Sequence, residues 1–566
     1  MRRSLLLIAS PLVLLAGCAT AGRSSQQAHA GAPPADSAYG MFLAGQGALN
    51  DGQSKDAARF FDAARGQPGA DQMVSERAFT AALLAGDITA AAALAPAGDD
   101  ASEANRRLGA LVRGVEAMAD DHGKEAYGLL TSGAVAFPHK SAAALLAPWA
   151  AAQAGDVTAS LVQPEVRGDK LVDYFGGLGR GLLFERAKRY DEAETDYKAA
   201  LAAAPRNQTA TVDYGEFLER RGRRADAIKL YQAALGDEPG SEALQAALKR
   251  AQAGKITPAP DTIKQGAALA LLTPAAIMTS AKQTQFALAY LRLALKLDPE
   301  RDEAWVMLGD LMSSSGDNTS AREAYNAVKP GSLEYGQAQS KLAWTYQNAG
   351  DKETALKIAR TAAASGQVEG RMTLADLLRA NEKFAESAEM LTTLINEQKT
   401  PDWRLLYARG VAYQKIGRWQ EGEKDLKAAL AAQPDEPELL NYLGYSWIDR
   451  GEHLKEAMAM VEKAVAADPR SGAMVDSLGW AHYRLGEYKK AVDKLEEAVE
   501  LEAGDPEINN HLGDAYWKVG RRDEAIFQWK RVLTLQPDAK IKADAEAKIA
   551  SASGPDGPTQ RVAKEP

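Results

Sequence analysis

The chain has 566 residues, a formal net charge of −9 at pH 7 and a single cysteine. That acidic balance argues against wrapping nucleic acid, which needs clustered Lys and Arg, and one cysteine excludes an internal disulfide. Helix formers, alanine above all, dominate over β-branched runs, so the expected fold class is all-α.

Residues 1–17 open with Arg2 and Arg3 and continue as an apolar run of signal-peptide length, too short for a membrane span. The run ends in Leu15-Ala16-Gly17-Cys18. Residues 18–37 are small, polar and proline-bearing, with too little apolar surface to fold, and read as a flexible tether spanning roughly 24 Å.

A rhythm of about 34 residues starts at Tyr39 and runs in degraded form over 38–254. Gly45, Gly52, Ala57 and Phe61 set its pattern, and the equivalents of Gly45 fall at Phe79, Gly114, Pro148, Gly181 and Gly215. The glycine-rich Gly176-Gly177-Leu178-Gly179-Arg180-Gly181 does not space its glycines as a dinucleotide loop does, so it reads as a helix loosened for close packing. Pro258 and Pro260 interrupt the rhythm, and 255–270 reads as a broken repeat, either a hinge between two solenoids or a long inter-helix loop. The register returns at Ala287, Leu291 and Ala294 and fills 271–400.

The clearest stretch is 401–537. Its anchors Gly410, Gly444, Gly479 and Gly513 are spaced 34, 35 and 34 residues apart, and each is followed seven residues later by Gly417, Gly451, Gly486 or Gly520. A small residue follows (Gly422, Ala457, Ala491, Ala525), and Pro434, Pro469 and Pro537 close three of the four units. Small anchors let two helices approach backbone to backbone, the second glycine ends the first helix in the left-handed region, and proline cannot continue the second helix. Residues 538–553 read as a polar capping helix and 554–566 as a disordered tail.

This pattern resembles the tetratricopeptide repeat, whose helix pairs stack into a solenoid, here of roughly 13 repeats, each touching only its neighbours. The resemblance implies that positions −3, +1, +4 and +5 from the anchor glycine line an inner groove. Those positions hold Tyr407, Asn441, Tyr445, Ile448, Asp449, Asp476, Trp480, Tyr483, Arg484, Asn510, Asp514, Trp517 and Lys518. Tyr407, Asn441, Tyr445, Trp480, Tyr483, Arg484, Asn510 and Trp517 form the candidate protein-binding set, the other reading being that neighbouring helices cover the rings. Trp305, Trp447 and Trp529 fall at core positions.

The Leu-Ala-Gly-Cys box resembles that of bacterial lipoproteins, which implies cleavage before Cys18, lipidation there (palmitate among the acyl chains) and, since Ala19 rather than aspartate follows, outer-membrane anchoring towards the periplasm. A plain secretory signal is the other reading. The phrases NYLGYSWIDRG, SLGWAHYRLGEYKKA and HLGDAYWKVGRRDEA resemble lipoprotein adaptors that bring cell-wall hydrolases to periplasmic C-terminal processing proteases. Related sequences serve as assembly scaffolds in secretion, polysaccharide export and pilus formation. No HExxH, paired-histidine, second-cysteine or G-x-S-x-G signature occurs, so no enzyme activity, metal or cofactor is expected.

Overall fold

A computed structural model describes residues 37–67, 72–98 and 100–552. Among them are thirty helices, organised as fourteen antiparallel pairs, an unpaired helix Glu242–Gln252 and a terminal helix Ala539–Ala552. The expected signal peptide, Cys18, most of the tether and the tail at 554–566 lie outside the described residues.

One contact recurs through the pairs. The anchor glycine of the first helix faces a large side chain sixteen residues on, in the second helix. A Cβ added at Gly215 would meet the Tyr231 ring at 2.3 Å, at Gly309 the Tyr325 ring at 2.4 Å, and at Gly513 the Trp529 indole at 2.5 Å. Tyr231 and Tyr197 are fully buried this way, and a side chain of that size removed from water contributes about 2–3 kcal/mol. Gly417, Gly451, Gly486 and Gly520 adopt φ between 73° and 86°, as ending a first helix on glycine requires.

The chain forms two compact units, 1–334 and 335–566. The boundary therefore differs from the expected hinge at 255–270. Residues 255–262 are indeed non-helical, but the helix Ile263–Ser280 begins at once behind a Thr262–Gln265 capping box. It packs on Lys140–Gln153, far back in the first unit. Both helices carry proline at the anchor position, Pro148 and Pro274, and they meet where the buried Trp149 covers Gly266.

The first unit also departs from neighbour-only contacts. Thr284–Leu297 packs on Gln72–Ala85 and Glu103–Ala119, and its sequence is apolar nearly all round, with Leu288, Tyr290, Leu291, Leu293 and Leu297 all buried. Cations on these late helices satisfy carbonyls in the last turns of early ones. Lys264 Nζ donates to Ala119 O at 2.8 Å and Arg292 Nε to Leu84 O at 3.1 Å. Lys296 pairs with Glu116 at 3.1 Å, and His139 Nδ1 lies 2.8 Å from Tyr290 Oη. Burial, with the Arg107 charge nearby, lowers His139 to a pKa of about 4, so it is neutral in this seam at pH 7.

The Trp149–Gly266 contact gives a direct test. A Cβ at Gly266 would lie 2.1 Å from a ring carbon of Trp149, which is 2% exposed. Gly266→Ala should cost about 1–3 kcal/mol by overpacking. Gly47→Ala, on a helical site with no atom within 4 Å, should instead stabilise by up to about 1 kcal/mol. Urea denaturation followed by circular dichroism separates the two, and equal effects would remove the close-packing explanation.

Candidate protein-binding groove

In the second unit the first helices of four successive pairs are Trp403–Lys415, Pro437–Arg450, Gly472–Arg484 and Pro506–Lys518. Local sequence sets their ends. Asp402, Ser471 and Asp505 accept backbone N–H groups as N-caps, and Pro437 and Pro506 occupy the first helical position. Pro437–Arg450 packs on Gly472–Arg484, that helix on Pro506–Lys518, and the last on Ala539–Ala552. The second helices instead pack on their own partner and on the next first helix. First helices therefore converge on one face, which makes it the inner one.

Four of the expected residues gather there around a fifth that the motif offsets do not include. The Trp480 ring stacks on Tyr483 at 4.5 Å and on His511 at 4.0 Å, with Tyr445 6.4 Å from the same imidazole. Arg484 donates to Asp449 O at 2.5 Å, across to the preceding first helix. Tyr445 donates to Glu507 at 2.6 Å, two repeats on. His511 escaped sequence reasoning because it lies beside Asn510, outside the groove offsets; its signal is the aspartate at −3 of the previous repeat, Asp476, which accepts from it.

Other expected residues are placed differently. Tyr407 is buried, because Tyr442 of the next repeat meets it edge to face at 5.4 Å. Asn510 is buried under the terminal helix, donating to Asp544 at 2.9 Å and accepting from Lys548 at 3.2 Å. Ile448 is fully buried. Trp517 is half-buried between Trp529 and the Arg522 guanidinium, which sits 3.7 Å above its ring. Trp447 and Trp529 are core residues as expected. Trp305 is only partly buried, its indole donating to Pro299 O at 2.9 Å.

Two buried polar atoms on adjacent first helices lack partners among the described residues, the amide oxygen of Asn441 and the indole N–H of Trp480. Leaving such a group unpaired costs about 1–3 kcal/mol. Behind them His511 sits 3.0 Å from both carboxylate oxygens of Asp476. Burial alone would push the imidazole down; the Asp476 carboxylate more than offsets that and raises its pKa above the ordinary 6.5. No group of three His, Cys, Asp or Glu residues among those described is placed to hold a metal ion.

The comparisons agree with this repeat geometry. Models described as tetratricopeptide repeat match residues 178–243, 283–332 and 407–472, and again 506–539, and a TPR repeat model matches 479–520. The TPR repeat-containing protein PA4667 of Pseudomonas aeruginosa is 30% identical over 216 residues, covering 38% of this chain and 36% of the relative. A probable UDP-N-acetylglucosamine–peptide N-acetylglucosaminyltransferase, SPINDLY, of Hordeum vulgare is 24% identical over 168 residues, 30% of this chain and 18% of that one. The chain thus spans about a third or less of these curated relatives. Among solved structures, a tetratricopeptide repeat protein from Parabacteroides merdae aligns with a TM-score of 0.38 at 15% identity, over 43% of this chain and 96% of that one. The APC/C hetero-tetramer Cut9-Hcn1 aligns with the same score and identity over 91% and 96%. The helix pairs and the repeat matches together establish an all-α tetratricopeptide solenoid.

The His511–Asp476 pair carries a pH signature. A histidine whose folded pKa is raised contributes stability that is fully present below about pH 6.5 and lost as pH rises through the folded value. Asp476→Asn leaves burial opposed only by the Glu507 and Asp514 charges. The His511 imidazole resonances of wild type should titrate above 6.5 and those of the variant at lower pH than wild type. The variant should lose on the order of 1–3 kcal/mol, more at pH 6 than at pH 9.

Proposed function

We propose that the chain is a scaffold whose second unit holds an extended protein segment along the inner face between Asn441 and Trp517. The observation that carries this reading is the stack of the partly exposed Trp480 ring on Tyr483 and on His511 of the next first helix, with Tyr445 beside it. A segment laid there would bury apolar surface on these rings, and aromatic and arginine side chains are the residues that dominate such contacts. The finer reading is a lipid-anchored, periplasm-facing adaptor that presents cell-wall hydrolases to a C-terminal processing protease. It is supported by the Leu-Ala-Gly-Cys box and by the three C-terminal phrases.

Trp480 is a poor residue to delete, since its ring packs against the core cluster as well as His511. Arg484→Glu with Lys518→Glu changes the inner face at two charged positions that belong to no core cluster. In-cell crosslinking and mass spectrometry should show partner capture falling at least tenfold, with the melting temperature within a few degrees of wild type, whereas Trp447→Ala should lower stability first. Deleting the lipoprotein should make the protease's hydrolase substrates accumulate, and the double variant should mimic the deletion. Unchanged hydrolase levels with capture still lost would replace the adaptor by an envelope assembly scaffold, and unchanged capture would move the site off this face.

The anchor is tested separately. Cys18→Ser should abolish incorporation of radiolabelled palmitate and release the protein from the membrane fraction, because several acyl chains at about 0.8 kcal/mol per buried CH₂ are what make attachment stable. Equal labelling of variant and wild type would show that Cys18 is not the acceptor.

A further inference from the structure

The first unit has its own inner face, and a segment of the same chain lies on it. Residues 255–262 read Lys-Ile-Thr-Pro-Ala-Pro-Asp-Thr and have no regular secondary structure. They run beside the C-terminal ends of two successive first helices, Lys170–Arg186 and Gln208–Arg220. The positions four and five beyond the anchors Gly181 and Gly215 are Glu185, Arg186, Glu219 and Arg220. Three of these four bond the segment directly. Arg186 donates to Asp261 O at 2.8 Å, Arg220 to Pro258 O at 3.0 Å, and Glu219 accepts from the Thr257 hydroxyl at 3.1 Å. Arg224 donates to Lys255 O at 3.0 Å, and Arg301 pairs with the Asp261 carboxylate at 3.2 Å.

The carbonyls that accept from arginine belong to residues 255, 258 and 261, every third one. Three residues is the turn of a polyproline II helix, which advances about 9 Å per turn. Adjacent packed helices lie about 8–10 Å apart. Arg186 and Arg220, one helix pair apart, therefore meet carbonyls one polyproline turn apart, and Arg224, opening the second helix of the Arg220 pair, meets the next carbonyl in the series. Pro258 and Pro260 hold φ in the required range and remove two N–H groups that would otherwise need partners.

The arginines are set in advance. Arg220 makes two bonds to the Glu185 carboxylate, at 2.7 and 2.8 Å, and Glu219 receives Arg250 at 2.8 Å and the Tyr231 hydroxyl at 3.0 Å. The segment itself is lightly buried. Ile256 is 94% exposed, and an open pocket of about 390 Å³ lies beside Pro260, lined by Arg186, Lys188, Tyr190 and Arg221 among others. The recognition is thus of backbone, with space left over for side chains larger than those present.

We infer that residues 255–262 are an intramolecular ligand of the first unit's inner face, and that this face takes extended, proline-bearing protein segments, which enter by displacing it. It is a second surface, distinct in chemistry from the aromatic groove of the second unit.

The test uses the full chain with 255–262 replaced by eight glycine and serine residues, and a fluorescein-labelled, end-blocked peptide of sequence KITPAPDT. The replaced chain should bind the peptide by fluorescence anisotropy, and wild type at least tenfold more weakly, because a tethered competitor acts at an effective concentration in the millimolar range. Adding Arg186→Ala and Arg220→Ala to the replaced chain should weaken binding at least tenfold, as should replacing both prolines of the peptide by alanine. Should the replaced chain lose helicity, Pro258→Gly with Pro260→Gly in the intact chain loosens the segment without removing it, and peptide binding should then appear. Absence of binding to a folded variant, equal binding by wild type, or binding indifferent to the arginines would each overturn the inference.

Discussion

The structure depends on how closely two antiparallel helices can approach. At each well-formed pair a glycine of the first helix lies under a large side chain of the second, sixteen residues later, as Gly215 lies under Tyr231 and Gly513 under Trp529. The ring can be buried only because no Cβ stands in its place. That buried ring fixes the angle of the pair, and the pair fixes which face of the first helix is left looking inward. Where the anchor is proline, at Pro148 and Pro274, the pair is organised differently, and those two helices pack on each other through Trp149 and Gly266.

This explains what the sequence made legible. A period of 34 with small residues at fixed offsets is a local signal, so the pairs, their left-handed glycine ends and the capping helix could be read directly. The fold-back of the first unit could not be read that way, since its contacts join Lys264 to Ala119 and Arg292 to Leu84, and no period relates such positions. A physical signal did exist. Thr284–Leu297 is apolar on nearly every side, and a helix of that kind must be covered all round.

The candidate groove was legible by offset and less so by environment. Offsets identify which side chains leave the first helix towards the inner face; they do not say what the next repeat places over them. Tyr407 meets Tyr442 and Asn510 meets Asp544, so both are buried although their offset, −3, lies one helical turn before the +1 of Trp480 and Tyr445 on the same face. His511 entered the site from an offset, −2, outside the groove positions. Its partner Asp476 is an ionisable residue buried on an inner helix, and such a residue demands a counterpart nearby.

The same offsets carry opposite chemistry in the two units. At positions four and five beyond the anchor, the second unit has Tyr483 and Arg484, then Trp517 and Lys518, whereas the first has Glu185 and Arg186, then Glu219 and Arg220. Rings contribute by burying apolar surface and so discriminate among side chains. Arginines held by carboxylates contribute directed hydrogen bonds to carbonyl oxygens, which every peptide has, and so discriminate by backbone conformation instead. A single repeat geometry thus offers two modes of recognition, one reading what a segment carries and the other reading whether it is extended. The proline-bearing stretch at 255–262 meets the second criterion without needing the first, which accounts for its being held by five polar contacts while Ile256 stays in solvent.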